Sequence, residues 1–201
     1  MRQLVYMLTV LVGVVTACDP ITDTTSRLVP EPDLLERLRY QKGEIDTLFN
    51  HQMERLIVMA KLRDKEEPVP IQNGNFPENV ELTFNILKDS LGQIIIVSIF
   101  PFSESGDWDI RLTHYFDKKG RTFVFERQTG FFNSMCTDGI AFETKTEFYN
   151  SDFELVDKKY ELVDEEYKQL EKDSCVFNYD FDYKVSPTIN DLLETSKIKD
   201  R

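Results

Sequence analysis

Histidine and cysteine side chains are the groups that most often bind metals or act as nucleophiles, and this chain has few of them. Its 201 residues include two histidines, His51 and His114, and three cysteines, Cys18, Cys136 and Cys175. None of them are spaced as His-x-x-x-His or Cys-x-x-Cys, the pairs that place two zinc ligands side by side. The sequence also lacks a Gly-x-Ser-x-Gly nucleophile turn. We therefore predict no catalytic residue, no metal site and no bound cofactor.

Carboxylates are the other groups that could do chemistry. Asp180 and Asp182 alternate with aromatic residues, so on a strand they would share one face, about 7 Å apart. Such a pair can act as acid and base in a glycan hydrolase, whereas the alternative is a solvated face that keeps the strand soluble. Asp107 and Asp109 flank Trp108, the single tryptophan, and these three residues are the candidate binding residues. The alternative for Trp108 is burial at the start of a strand.

The N-terminus has the three parts of a secretion signal. Arg2 supplies positive charge, an apolar run extends from Leu4 to Val15, and small residues lead to Cys18. The apolar run is shorter than the stretch of about 20 residues that spans a membrane as a helix. The motif Val15-Thr16-Ala17-Cys18 resembles the lipobox of bacterial lipoproteins, in which small and branched apolar residues precede an invariant cysteine.

This resemblance implies covalent processing at Cys18. The signal peptide, residues 1–17, would be removed, a diacylglycerol would be attached to the Cys18 thiol, and an acyl chain such as palmitate to its new amine. Two or more acyl chains give stable membrane anchoring where one does not. Residues 18–32, which are rich in proline and threonine, would form a flexible tether. We therefore expect a lipid-anchored protein of the bacterial cell envelope, on the periplasmic or surface side of a membrane.

The charge balance narrows the range of partners. Cleavage after residue 17 removes Arg2 and no acidic residue, so that 23 basic residues face 36 acidic ones and the net charge becomes −13. A surface of this charge repels phosphate groups, so we expect no binding to nucleic acid and no docking on anionic lipid headgroups. Membrane association would then depend on the lipid anchor alone.

Cys136 and Cys175 remain as a pair once Cys18 is committed to lipid. Because the envelope outside the cytoplasm is oxidising, we predict a disulfide between them, with two buried free thiols as the alternative. The bond would close a loop of about 40 residues and contribute about 3–4 kcal/mol in the chain-entropy model.

Residues 33–65 are predicted to form one long helix. Apolar residues recur at steps of three and four from Leu34 to Ala60, and Asp33 stands in the N-cap position with Glu36 three residues later. We expect the apolar stripe to pack on a sheet. A coiled coil or a partner-binding helix is the alternative.

From residue 80 onward the apolar period changes to two, which is typical of strands joined by short turns. A short helix over residues 187–196 is expected to follow the last strand. The predicted strands are Val80–Lys88, Gln93–Phe102, Trp108–Phe116, Arg121–Phe132, Ile140–Tyr149, Phe153–Val163 and Cys175–Val185.

Consecutive strands joined by tight turns favour an antiparallel meander. We therefore predict a single α+β domain over residues 33–201, with the long helix 33–65 packed on a sheet of six or seven strands within residues 80–185. The alternative is a β-sandwich or a half-barrel with a helical stalk.

Taken together, these features favour a non-catalytic binding or interaction module anchored to the membrane. Its acidic surface would attract a basic protein partner. The alternatives are a carboxylate-based hydrolase of envelope glycans and a structural lipoprotein that oligomerises through its helix.

Overall fold

The computed structural model describes residues 33–177 and 179–199, which build one antiparallel sheet of eight strands and two α-helices. The predicted signal, Cys18 and the tether of residues 18–32 lie outside the described residues. In the described part, no helix is long and apolar enough to cross a membrane. The elements are α1 (Leu34–His51), β1 (Ile57–Leu62), β2 (Val69–Pro70), β3 (Val80–Lys88), β4 (Ile94–Pro101), β5 (Trp108–Phe116), β6 (Thr122–Phe131), β7 (Ala141–Tyr149), β8 (Leu155–Val163) and α2 (Ile189–Ser196).

The sheet is an open meander with the order β2-β1-β3-β4-β5-β6-β7-β8. From β3 to β8 each strand pairs with its neighbours in the chain, so the predicted meander is confirmed. The tight turns that join β3 to β4 and β5 to β6 place Gly92 and Gly120 at positive φ values of 82° and 73°, which glycine adopts at little cost. The strand count of six or seven was too low, because β1 and the two-residue β2 precede the predicted region.

The predicted helix over residues 33–65 is wrong in its second half. Helix α1 ends at His51, and Ile57–Leu62 is strand β1, which pairs along its whole length with β3. The apolar run that includes Ile57 and Val58 fits either period, and its two β-branched residues favour the strand. At the N-terminus Asp33 occupies the N-cap position without a side-chain capping hydrogen bond.

The last predicted strand, Cys175–Val185, does not join the sheet. Its described residues are extended, but they lie over one face of the sheet. We call residues 177–187, apart from residue 178, the strap. The strap follows β6 in the opposite direction: Phe177 contacts Phe131, and Ser186 accepts a hydrogen bond of 2.7 Å from the Thr122 hydroxyl. The alternation of residue types therefore identified the buried side of the strap correctly, but not its hydrogen-bonding partner.

Apolar clusters lie on both faces of the sheet. On the strap face, the strap and α2 cover a cluster that includes Leu112, Phe84 and Leu192. On the helix face, Leu38 and Ile45 of α1 are buried in a second cluster. Helix α2 begins with a complete capping box between Thr188 and Asp191, close to the start predicted for the final helix.

The fold class is therefore mostly β: one open antiparallel sheet with helices of 18 and 8 residues. The α+β class with a long N-terminal helix is not confirmed. The described strands form a single sheet, which also differs from the sandwich and half-barrel alternatives.

Candidate binding groove

Helix α1 covers only part of its face of the sheet. Beyond the helix, strands β4–β8 form the floor and walls of a groove of about 700 Å³. The border between the two parts is a row of buried polar groups, in which Ser98 and Thr113 share a hydrogen bond of 3.0 Å and Thr146 donates to Glu126 at 3.3 Å. Lys42 of α1 forms an ion pair of 3.0 Å with Glu126 and so fixes the helix at this border.

The floor of the groove is a row of polar side chains in cross-strand register. Arg111 pairs with Gln128, Gln128 with Thr144, and Thr144 with Glu161. Side chains directly opposite each other on neighbouring strands lie within contact distance, so this row is a continuous strip of hydrogen-bonding groups. In the described residues no hydrogen bond between protein groups engages the side chains of Arg111, Gln128 or Thr144. These groups are therefore available to a ligand.

Asp109 lies one step further along the same face. Its cross-strand partner is Gly130, and a Cβ atom at that glycine would lie only 2.1 Å from Asp109 Oδ1. The missing side chain therefore lets the carboxylate lie flat against the strand backbone. Although Asp109 as a residue is exposed, this partial burial of its carboxylate raises its pKa, and the charge of Arg111 opposes the rise.

The charged lining of the groove is predominantly acidic. The carboxylates of Asp109, Glu161 and Glu165 face the groove, against the single lining cation Arg111. The side chain of Glu143 instead points to the strap face, where Lys145 lies 2.8 Å away. Lys159 lies 3.4 Å from Glu161. Asp109 and Glu165 form no ion pair within the described part of the chain, so they carry the uncompensated negative charge.

Aromatic side chains stand at the rim of the groove. Phe142 is 38% exposed and Tyr167 is 86% exposed, and Phe100 completes the opposite wall. Tyr167 also has a positive φ of 62°, an uncommon conformation for a large residue, in the turn that follows β8. Exposed aromatic rings beside unpaired charges are typical of surfaces that bind proteins.

The three candidate binding residues of the sequence do not share one surface. Trp108 points to the strap face, where its ring stacks on Tyr179 with centroids 4.0 Å apart, and it is half-buried against the core. Asp109 points to the groove. Asp107 is exposed in the preceding loop and accepts a hydrogen bond of 3.3 Å from Asn133. Of the three, the structure brings only Asp109 to the groove floor.

The sequence analysis missed Arg111, Gln128 and Thr144. A signal was present, because Asp109, Arg111 and Thr113 alternate with Ile110 and Leu112, which marks a polar face on β5. This signal was overlooked because the sequence of one strand does not show which polar residues of the neighbouring strands will lie beside it.

The strap carboxylates lie on the other side of the molecule. Asp180 is exposed and pairs with Arg127 at 2.7 Å, while Asp182 points to solvent. Both carboxylates are exposed on the outer side of the strap, and Asp180 is held in its ion pair, so this arrangement favours the solvated face over an acid–base pair.

The two histidines differ in environment. His114 is completely buried, and its Nε2 lies 2.9 Å from the hydroxyl of Tyr183 on the strap. Burial lowers the pKa of His114 to about 3, so the ring is neutral at physiological pH and joins the strap to the sheet. His51 is the exposed last residue of α1, and its Nδ1 lies 2.7 Å from the Thr47 carbonyl oxygen.

Cys136 and Cys175 are joined, with Cα atoms 4.7 Å apart. The prediction that these two cysteines approach to disulfide distance is therefore confirmed. The bond ties the segment before the strap to the connection between β6 and β7. In the described residues no group of three or more histidine, cysteine or acidic side chains is placed to hold a metal ion.

Comparison of the chain with protein-family models, with curated proteins and with solved structures finds no match.

Proposed function

We propose that this protein is a membrane-anchored lipoprotein of the bacterial cell envelope that acts as a non-catalytic binding module. The observation that carries the proposal is the groove, which has an acidic lining and an aromatic rim. On its polar floor, Arg111, Gln128 and Thr144 make no side-chain hydrogen bond within the part of the chain that the structure describes. Its ligand is a basic segment of a protein partner. The sequence supports the anchor through the signal of residues 1–17 and the lipobox ending at Cys18.

The charge distribution supports a basic ligand. The groove holds acidic groups in excess over Arg111, and the mature chain carries a net charge of −13 after removal of Arg2. Long-range attraction between opposite charges raises the rate of encounter, and salt screens it. An exposed ring such as Tyr167 would add short-range contact after the encounter.

The binding experiment uses the chain of residues 19–201, which lacks the signal and the lipidated cysteine, and a set of lysine- and arginine-rich peptides, with neutral peptides of equal length for comparison. The basic peptides should bind, and the double variant Asp109→Asn with Glu165→Gln should bind them several-fold more weakly. The matched control is Asp180→Asn with Asp182→Asn, which removes the same charge from the strap. Equal loss in both double variants would contradict the assignment to the groove.

The anchor has its own test. Mass spectrometry of protein extracted from membranes should show an acylated Cys18 as the first residue. The variant Cys18→Ser should leave an unprocessed precursor or release soluble protein. Normal processing and anchoring of that variant would refute the lipoprotein proposal without affecting the groove.

A hydrolase of envelope glycans is the second candidate, favoured by one observation: Asp109 has a raised pKa inside a groove that contains further carboxylates. A raised pKa suits a general acid. Release of sugar fragments from purified peptidoglycan by the natural chain, abolished in Asp109→Asn, would favour this candidate over binding alone. For the helix-oligomer alternative the packing is unfavourable, because Leu38 and Ile45 are buried against the chain's own sheet.

A further inference from the structure

The two edges of the sheet are built differently. Strand β2 forms one edge with only two residues, and one of them, Pro70, has no N–H to donate. Strand β8 forms the other edge with nine residues, most of them exposed. A long edge strand presents unpaired backbone groups to any chain that can add a further strand, and proteins usually shorten or cover such edges.

The backbone of β8 shows which of its groups face outward. The N–H of Leu170 donates to the carbonyl oxygen of Leu162 at 2.9 Å, so Leu162 points away from β7. Along an antiparallel strand, the backbone N–H and C=O groups of successive residues point alternately to one side and to the other. The groups of Tyr160 and Lys158 therefore point outward, as those of Leu162 do. No backbone hydrogen bond in the described part of the chain uses these four groups. The free part of this edge therefore lies on the N-terminal side of Leu162, the residue of β8 that Leu170 pairs with.

We propose that this free edge pairs with the same edge of a second copy of the chain, antiparallel and centred on Lys158. The two sheets would then form one continuous sheet across a two-fold axis. This inference is independent of the groove and of its ligand.

Two constraints fix the register. Leu170 blocks pairing beyond Glu161 and β8 begins at Leu155, so the free edge spans 155–161 and its midpoint is Lys158. The β7–β8 register shift, where Tyr149 meets Leu155, lies at the start of this edge. A centre on Lys159 would place like charges opposite each other, at Lys159 itself and between Asp157 and Glu161. A centre on Lys158 instead places Asp157, which also pairs with Arg39 of α1 at 2.9 Å, opposite Lys159 of the second copy, and does so twice by symmetry. Opposite charges across strands are stabilising and like charges are not.

The lysines of this edge are already neutralised within their own sheet. Lys158 lies 2.6 Å from Glu147, so two copies of Lys158 can meet at the axis with their charges compensated. Lys159 lies 3.4 Å from Glu161. Tyr160 adds a ring that is 43% exposed beside the axis. Unpaired lysines commonly protect an edge from pairing, and here their pairing with acids weakens that protection.

The test is cysteine cross-linking of the full chain in native membranes. With Lys158→Cys, mild oxidation should give a disulfide-linked dimer well above the level found for Lys119→Cys, a control on the exposed β5–β6 turn. A Lys158→Cys yield no higher than this collision background would overturn the proposal.

A charge exchange distinguishes a specific edge from chance contact. Adding Lys159→Asp to the Lys158→Cys chain places two aspartates opposite each other and should lower the dimer yield several-fold. Adding Asp157→Lys as well restores opposite charges and should restore the yield. If all three chains give the same yield, the proposed register is wrong. Binding of basic peptides to the groove should be unchanged in the Lys158→Cys chain, whose substituted residue pairs with Glu147 and does not line the groove. Failure of this proposal is therefore distinguishable from failure of the proposed function.

Discussion

The two faces of the sheet use polar residues in different ways. On the strap face, the buried ring of His114 is paired with the hydroxyl of Tyr183 on the strap. On the helix face beyond α1, Arg111 and Gln128 lie half-buried, and their side chains make no hydrogen bond or ion pair with the described residues. Neighbours on one strand show the contrast: Leu112 is completely buried on the strap face and Arg111 lines the groove on the other. Packing therefore accounts for the strap face, and the open part of the helix face is the surface that we propose binds a ligand.

The largest expected effect concerns the attachment of the strap. Replacing both Cys136 and Cys175 by serine removes a cross-link between residues 39 apart in sequence. We expect a loss of about 4 kcal/mol in the free energy of unfolding, because the unfolded chain regains loop entropy. Urea denaturation of the oxidised natural chain and the double variant measures it. A loss below about 1 kcal/mol would show that packing and polar contacts hold the strap without the cross-link.

The next effect tests the packing of the strap face. Leu112→Ala removes a completely buried side chain from the centre of the cluster under the strap. The free energy of unfolding should fall by about 3 kcal/mol, the usual cost of lost transfer energy plus a cavity. Thermal or denaturant unfolding detects a change of this size. An effect no larger than that of a surface substitution would contradict the assignment of this face to the core.

The buried histidine predicts a pH dependence. Its pKa is about 3 in the folded protein, against an ordinary value of 6.5. Below pH 6.5 the unfolded chain therefore binds a proton at His114 that the folded chain does not, so stability should fall as pH decreases, by about 1.4 kcal/mol per pH unit from this group. The contribution is fully present above pH 6.5 and is lost as pH falls towards 3.

The measurement compares the pH dependence of unfolding between pH 7 and pH 4 in the natural chain and in His114→Gln. The variant should show the shallower slope, since the group that titrates is gone. His51→Gln is the matched control, because it makes the same substitution at the exposed histidine. Equal slopes in the natural chain and His114→Gln would show that His114 is accessible to protons.

The smallest expected effect is in the groove. Arg111→Gln removes a cation that makes no ion pair with the described residues, so the free energy of unfolding should change by less than about 0.5 kcal/mol. The difference in the free energy of unfolding between this variant and Leu112→Ala, the substitution of the next residue, measures the contrast between the two faces. A loss of more than 2 kcal/mol would reveal a structural role for Arg111 and weaken its assignment to ligand binding.

Much of the sheet could be predicted from sequence because its signals are local. The strands Val80–Lys88 and Trp108–Phe116 were predicted at the bounds observed, since alternation and turn residues specify them without reference to the rest of the chain. The helix end at His51 was missed because the following apolar run fits both periods. The strap was taken for a strand because alternation reports which side is buried and carries no information about hydrogen bonding.

The groove could be predicted only in part, for a related physical reason. Asp109 was noticed because it adjoins the single tryptophan, yet the structure separates the two onto opposite faces. The row of Arg111, Gln128 and Thr144 depends on the register of three neighbouring strands. Gly130 makes room for the carboxylate of Asp109 on the neighbouring strand. The sequence alone does not show which side chain will lie against a glycine in a strand.

Hydrogen–deuterium exchange of the chain with and without a bound basic peptide tests the central claim most directly. Slower exchange is predicted at the groove, in residues 109–111, 128–130, 142–144 and 161–167, while the strap at 179–187 should be unchanged. Protection confined to the strap, or spread evenly over both faces, would contradict the assignment of recognition to the open half of the helix face.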